Sequence, residues 1–244
     1  MVNLLYTEIL KLKGSNMFWV SIVGAVVAPF MTFIAYVMEK VKMPHVSIKF
    51  SKLFSDCNFY VILLIGILLY GLIAAYLFNR EYVEDTLKNL LTIPISRTNL
   101  VVSKLVLLLI WIMALTIISW VMTLILGLIG PFEDLNNTVL ITSFKEYIIG
   151  GGLLFLLSTP IIFVTLLFKD YVPTIAFTIA ITMVNVLISN SEYSVLHPWS
   201  ATVAIATNVF RPEYPPIYSY ISVFATSLIG VIATITYFKK VDIH

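Results

Sequence analysis

Asn79-Arg80-Glu81-Tyr82-Val83-Glu84-Asp85-Thr86-Leu87-Lys88-Asn89-Leu90-Leu91-Thr92-Ile93-Pro94-Ile95-Ser96-Arg97-Thr98-Asn99-Leu100, continuing to Lys104, is the longest charged stretch of a chain that is otherwise mostly apolar. Long apolar runs flank it on both sides, which predicts a connector outside the bilayer between two membrane-crossing helices. Its apolar positions Tyr82, Val83, Leu87, Leu90 and Leu91 recur at helical spacing with charge on the other face, the pattern of a short amphipathic surface helix. Pro94 stops that helix by removing a donor and disfavouring helix at Ile93. Ser96 then reads as the N-cap of the next helix, with Asn99 at N3. The pattern supports two readings: a solvated link anchoring two spans, or a surface helix that a soluble partner grips.

Composition sets the class. The chain is 60% hydrophobic and 11% charged, and several runs exceed the roughly 20 residues needed to cross a bilayer. A spanning segment must satisfy its own backbone, which leaves helices or a closed barrel. The runs are continuous rather than alternating, which selects helices. The fold class is therefore an all-α membrane protein. A net charge of +2 is too small to argue for nucleic acid. The single cysteine, Cys57, excludes an intrachain disulfide, and with three scattered histidines it builds no zinc site.

Six spans are expected, over about 17–38, 59–78, 100–128, 147–168, 172–189 and 217–238. Before them, Val2, Leu5, Tyr6, Ile9 and Leu12 share one face of an amphipathic segment that Gly14-Ser15-Asn16 ends, the composition of an interfacial helix rather than a cleaved signal. Pro29 and Pro160 are expected to kink the first and fourth spans. Polar loops are expected at 39–56 and 132–146. In the second span Gly66 and Gly71, with Ala74 and Ala75, offer small surfaces for close helix contact. In the fifth, Thr174, Thr178, Thr182, Asn185 and Ser189 follow one another at intervals of four, four, three and four, a polar stripe on one face. That stripe reads either as a helix interface held by hydroxyls or as a wall of a transport route. Pro198 opens a short helix over Trp199–Phe210, within an aromatic and proline-rich segment suited to the headgroup zone.

The run Glu81…Thr86-Leu87…Leu90-Leu91…Pro94-Ile95-Ser96-Arg97…Lys104 resembles the signature that follows the second membrane helix of ABC-2 type permeases, the membrane subunits of one class of ATP-binding-cassette exporters. In that family the segment is a coupling helix docked on the ATPase. The resemblance therefore implies that Glu81, Thr86, Leu87, Leu90, Leu91, Pro94, Ser96, Arg97 and Lys104 serve coupling, with Glu81 and Arg97 fixing the connector by pairing with each other or with the ATPase. Asp85 stands where the family usually has glycine. The resemblance extends to the N-terminal elbow helix at 1–13, and over 1–244 it implies a single transmembrane domain.

With six spans both ends lie on one side. If that side is the cytoplasm, Lys11, Lys13, Arg80, Lys88, Arg97, Lys104, Lys169, Lys239 and Lys240 make nine inner basic residues against six outer ones, Lys40, Lys42, Lys49, Lys52, Lys145 and Arg211. The bias favours both termini on the cytoplasmic side, and the resemblance implies a bacterial plasma membrane. Gly150-Gly151-Gly152 lacks a following Lys-Ser/Thr and sits in an apolar run, so it is no phosphate loop. There is no catalytic set, and carboxylates that an ion-coupled carrier would bury in its spans are scarce. No cofactor is expected on this chain; ATP and Mg would be used by the partner.

The leading expectation is a half-permease paired with an identical or related second permease, spans two and five at the seam, above two ATPase subunits. The resemblance to the bacitracin and lantibiotic immunity subgroup points to a membrane-active peptide or other amphipathic, lipid-like cargo. The competing readings are a membrane scaffold or sensor, and an ATP-independent scramblase or channel.

Overall fold

The computed structural model describes residues 2–84 and 96–240. Helix α1 (Val2–Lys13) precedes six helical segments long and apolar enough to cross a membrane. These are α2 (Asn16–Lys42), a continuous rod of α3 (Phe50–Tyr60), a π turn (Val61–Ile65) and α4 (Gly66–Val83), then α5 (Arg97–Ile129), α6 (Asn137–Phe168), α7 (Tyr171–Ile188) and α9 (Ile217–Lys240). Between α7 and α9 lie a 3-10 turn (Glu192–Val195) and α8 (Pro198–Thr207). Helix α6 is the hub, packing on α4, α5, α7, α8 and α9, while α2 lies on α5.

Several helices outrun the apolar spans. The second rod is 34 residues long, about 51 Å at 1.5 Å per residue, against a hydrocarbon core of about 30 Å. Its start at Phe50 rather than Phe59, and the start of α6 at Asn137 rather than Tyr147, replace much of the two polar loops with helix. Hydropathy cannot see such extensions, because helix outside the hydrocarbon needs only one buried face. Phe50, Leu53, Phe54 and Cys57 supply that face in α3, and the Asn136 side chain caps α6 by accepting from the Val139 N–H at 2.8 Å. At this end a two-residue parallel pairing, Ile48 with Phe132 and Lys49 with Glu133, ties the two connections together.

The helix ends follow from local chemistry. Ser15 caps α2 through the Met17 N–H, and Ser96 caps α5 through the Asn99 N–H at 3.2 Å. Lys169 takes the left-handed conformation (φ 54°) that closes α6, and Asp170 at once caps α7. Pro198 opens α8 as expected, with His197 as its N-cap. Helix α6 runs unbroken through Pro160. A proline there leaves the carbonyl four residues back without its amide partner; the Thr159 hydroxyl lies 2.9 Å from that Leu156 carbonyl and 3.0 Å from the Ser227 carbonyl of α9. Gly230 keeps α9 close at this point, since a Cβ there would meet the Pro160 nitrogen at 2.6 Å.

Candidate functional site at the base of the connector

The two roots of the connector meet at one buried cluster of charge. Glu81 ends α4, Lys104 lies two turns into α5, and both are almost fully buried, at 2% and 4% exposure. The Lys104 ammonium is 2.7 Å from the Glu81 carboxylate, 3.3 Å from Glu8 of α1 and 2.6 Å from the Leu77 carbonyl. Its three protons thus have three acceptors on two helices. Lys11 of α1 approaches Glu8 at 3.1 Å and Glu81 at 3.4 Å. Two carboxylates and two ammonium groups make the cluster neutral, which is the condition under which charge survives burial.

The electrostatics of α1 follow from this packing. Burial alone would raise the Glu8 carboxyl, but Lys104 and then Lys11 outweigh it and hold it below its ordinary 4.5. Burial pulls Lys11 down, while Glu8 and Glu81 together carry it above its ordinary 10.5. Two further contacts tie α1 and its turn to α4. Arg80 donates to the Lys11 carbonyl at 3.0 Å, a cation at a helix C-terminus, and the Tyr76 hydroxyl donates to Ser15 at 2.8 Å.

Sequence reading placed Glu81, Ser96, Arg97 and Lys104 in one functional group, and all four lie at the connector's roots. Thr86, Leu87, Leu90, Leu91 and Pro94 lie outside the described residues. The partners differ from those expected. Glu81 faces Lys104 and Lys11, and its burial leaves it no open face for a soluble subunit. Arg97 reaches the other way, donating to the Phe238 and Lys239 carbonyls at the end of α9 at 3.3 and 3.2 Å. The roots are thereby fastened to the first and last helices of the chain. Glu8 and Lys11 were missed as site residues. The available signal was Lys104 itself: a lone lysine inside an apolar helix demands a carboxylate, and α1 carries Glu8 with Lys11 one turn on.

The polar stripe of α7, expected at a seam or pathway, faces the subunit's own helices. Thr174, Thr178, Thr182 and Asn185 are buried inside the single subunit, and Gly66 and Gly71 are buried with them in α4. A Cβ on Gly71 would meet the Thr178 methyl at 2.5 Å, and one on Gly66 would meet Leu154 at 2.7 Å. These small residues let α7 and α6 approach α4, the helix-interface reading of the stripe. The hydroxyls of Thr178 and Thr182 return to their own helix, at the Ile175 and Thr178 carbonyls. Ser189 is half-buried at the end of the helix and bonds the Val186 carbonyl. Two side chains cross over: the Thr174 hydroxyl donates to Thr165 of α6 at 3.2 Å, and the Asn185 amide donates to the Leu63 carbonyl at 3.0 Å while its oxygen accepts from Ser200 at 2.6 Å. Leu63 sits in the π turn, where the shifted ladder runs from the Gly66 N–H to the Val61 carbonyl.

Long apolar helices, two connector roots locked to their neighbours and no catalytic constellation among the described residues define a multi-pass membrane subunit of the permease kind. The ABC-2 family transporter protein pattern matches residues 4–185, and the chain belongs to that family. The match takes in α1, the connector and α7 up to Asn185, and stops before α8. The chain is also 65% identical over 206 residues to the bacitracin transport permease protein BCRB of Bacillus licheniformis, covering 84% of this chain and 99% of that relative. It is thus a permease subunit of an ABC transporter, without enzymatic activity of its own, and its family implies an ABC ATPase partner.

Proposed function

We propose that this permease is half of an ATP-driven exporter that clears a bacitracin-like, membrane-active peptide from the bacterial plasma membrane. The observation that carries the reading is the 65% identity to a bacitracin transport permease across nearly all of that relative. Two permeases, identical or related, would pair above two ATPase subunits, with both termini and the connector on the cytoplasmic side. Because the α7 stripe is spent inside the subunit, pairing uses other faces than the one the stripe lines. The partner hydrolyses Mg-ATP; this chain converts the resulting movement into a change of its helices.

The base of the connector supports that role. A push on the connector bears on Glu81 and Arg97. Through Lys104 and Glu8 it reaches α1, and through the Phe238 and Lys239 carbonyls it reaches α9. Helices α1, α4, α5 and α9 then shift as one body, a rigid-body transmission. Asn79, fully buried beside this base in sequence, has both amide atoms unpartnered among the described residues. An unsatisfied buried group costs about 1–3 kcal/mol, which favours a second arrangement of the base in which it is bonded.

The test is survival on bacitracin of a sensitive bacterium expressing the permease with the ATPase that co-purifies with it. Wild type should raise the tolerated concentration, and Arg97→Ala, at matched membrane levels, should remove most of the gain. Unchanged tolerance with the wild-type pair would reject the cargo; full resistance in Arg97→Ala would reject the coupling role.

A further inference from the structure

At the other end of the molecule lies a built cavity that the coupling base does not use. Leu63 in its wall is 18 residues before Glu81 along one rod, about 27 Å away at 1.5 Å per residue. The cavity measures 290 Å³ and opens between the π turn, the 3-10 turn and α8. Its apolar surface includes Phe59, Val203 and Phe210, and its polar surface includes Ser194, Ser200 and Arg211. Among the described residues no acidic side chain lines it.

Two observations show that this is more than a gap between helices. Ser200 is held in place, donating to the buried Asn185 at 2.6 Å and meeting His197 Nδ1 at 3.2 Å. Ser194 is 9% exposed, and its hydroxyl has no hydrogen-bond partner among the described residues while it lines the cavity. Its hydroxyl is open to the cavity and can donate to or accept from a ligand there. At the rim the Arg211 guanidinium donates to the Asn190 carbonyl at 3.3 Å; with five N–H groups it keeps donors for a ligand.

We propose that this cavity binds the anionic head of a single-chain amphiphile, with Arg211 and Ser194 on the head and the chain against Phe59, Val203 and Phe210. The Arg211 cation, the uncommitted Ser194 hydroxyl and an apolar bed in the absence of lining carboxylates select a phosphate or carboxylate over a neutral or cationic head. The inference stands on the cavity and goes beyond the transport reading, so it is tested by binding alone, with no ATPase and no cargo.

The full chain in nanodiscs of zwitterionic lipid is titrated with radiolabelled dodecyl phosphate, dodecanoate and dodecanol, with empty nanodiscs as the blank. At least one anion should bind about tenfold tighter than dodecanol. Arg211→Gln, at an exposed position, should erase that difference and leave dodecanol unchanged. Ala204→Phe, at a half-buried cavity position, should weaken all three ligands. Preference for dodecyl phosphate identifies a phosphate-bearing lipid head, and preference for dodecanoate a carboxylate. The proposal is overturned if the anions bind no tighter than dodecanol, if Arg211→Gln keeps the preference, or if Ala204→Phe binds as wild type does. It is equally overturned if Lys52→Gln, outside the cavity, has the effect of Arg211→Gln.

Discussion

The connector base and the α7 stripe are both polar patches buried among apolar helices, yet they are built on opposite principles. The base uses full charges shared across three helices: Lys104 on α5, Glu8 and Lys11 on α1, Glu81 on α4. The stripe uses neutral hydroxyls, and those of Thr178 and Thr182 bond within their own helix. A hydroxyl returned to its own backbone moves with its helix and transmits nothing. A charge whose partners lie on other helices cannot move without them. The base ties three helices together through charge, and the stripe is packing whose crossing bonds lie at its two ends, Thr174 to Thr165 and Asn185 to Leu63 and Ser200.

Mutations sharpen that contrast. Lys104→Met should have the largest effect, since it leaves the buried carboxylates of Glu8 and Glu81 to share Lys11 alone; breaking such a group costs about 3–5 kcal/mol. Thermal unfolding in detergent should show a clear drop in midpoint, and adding Glu8→Gln with Glu81→Gln should restore much of it. A drop that the neutral partners do not relieve would mean that Lys104 matters through packing. Asn185→Leu comes next. It removes the amide that bonds the Leu63 carbonyl and leaves Ser200 with His197 alone, and the same assay should register about 1–3 kcal/mol. An effect equal to that of Lys104→Met would dissolve the distinction between joint and packing.

The smallest effect is that of pH on α1. Glu8 has its carboxyl lowered, so its contribution is present above about 4.5 and is lost as pH falls through the lower folded value. Lys11 is raised, so its contribution is present below about 10.5 and is lost as pH rises through the higher folded value. Docking of α1 should therefore stay flat from about pH 5 to 10 and loosen at both extremes. Spin labels on the exposed positions Tyr6 and Ile110 would report the separation of α1 from α5. A change centred near pH 7 would contradict the assignment.

The class of fold was legible because an unbroken apolar run of about 20 residues has little use except to cross a bilayer. The helix starts at Ser96 and Pro198 were legible because their chemistry is local. The extensions of α3 and α6 beyond the apolar spans were hidden, since leaving the hydrocarbon removes the hydropathy signal but not the helix. The π turn was equally hidden, for nothing in Val61–Ile65 distinguishes it from ordinary helix. The members of the site were half legible. Glu81, Ser96, Arg97 and Lys104 were found through their neighbours in sequence, whereas Glu8 and Lys11 lie about 70 residues or more away from their partners. The stripe showed the converse limit: periodicity marked the polar face of α7 but could not say whether it met a second subunit or α4.

The most direct test of the joint is ATP hydrolysis by the complex purified from native membranes, with and without bacitracin, comparing wild type with Glu8→Gln. A joint at this base predicts that an ATPase co-purifies with both proteins, that bacitracin stimulates hydrolysis in the wild-type complex, and that Glu8→Gln keeps the ATPase bound but loses most of the stimulation. Full stimulation in Glu8→Gln, or a wild-type permease that brings down no ATPase, would contradict it.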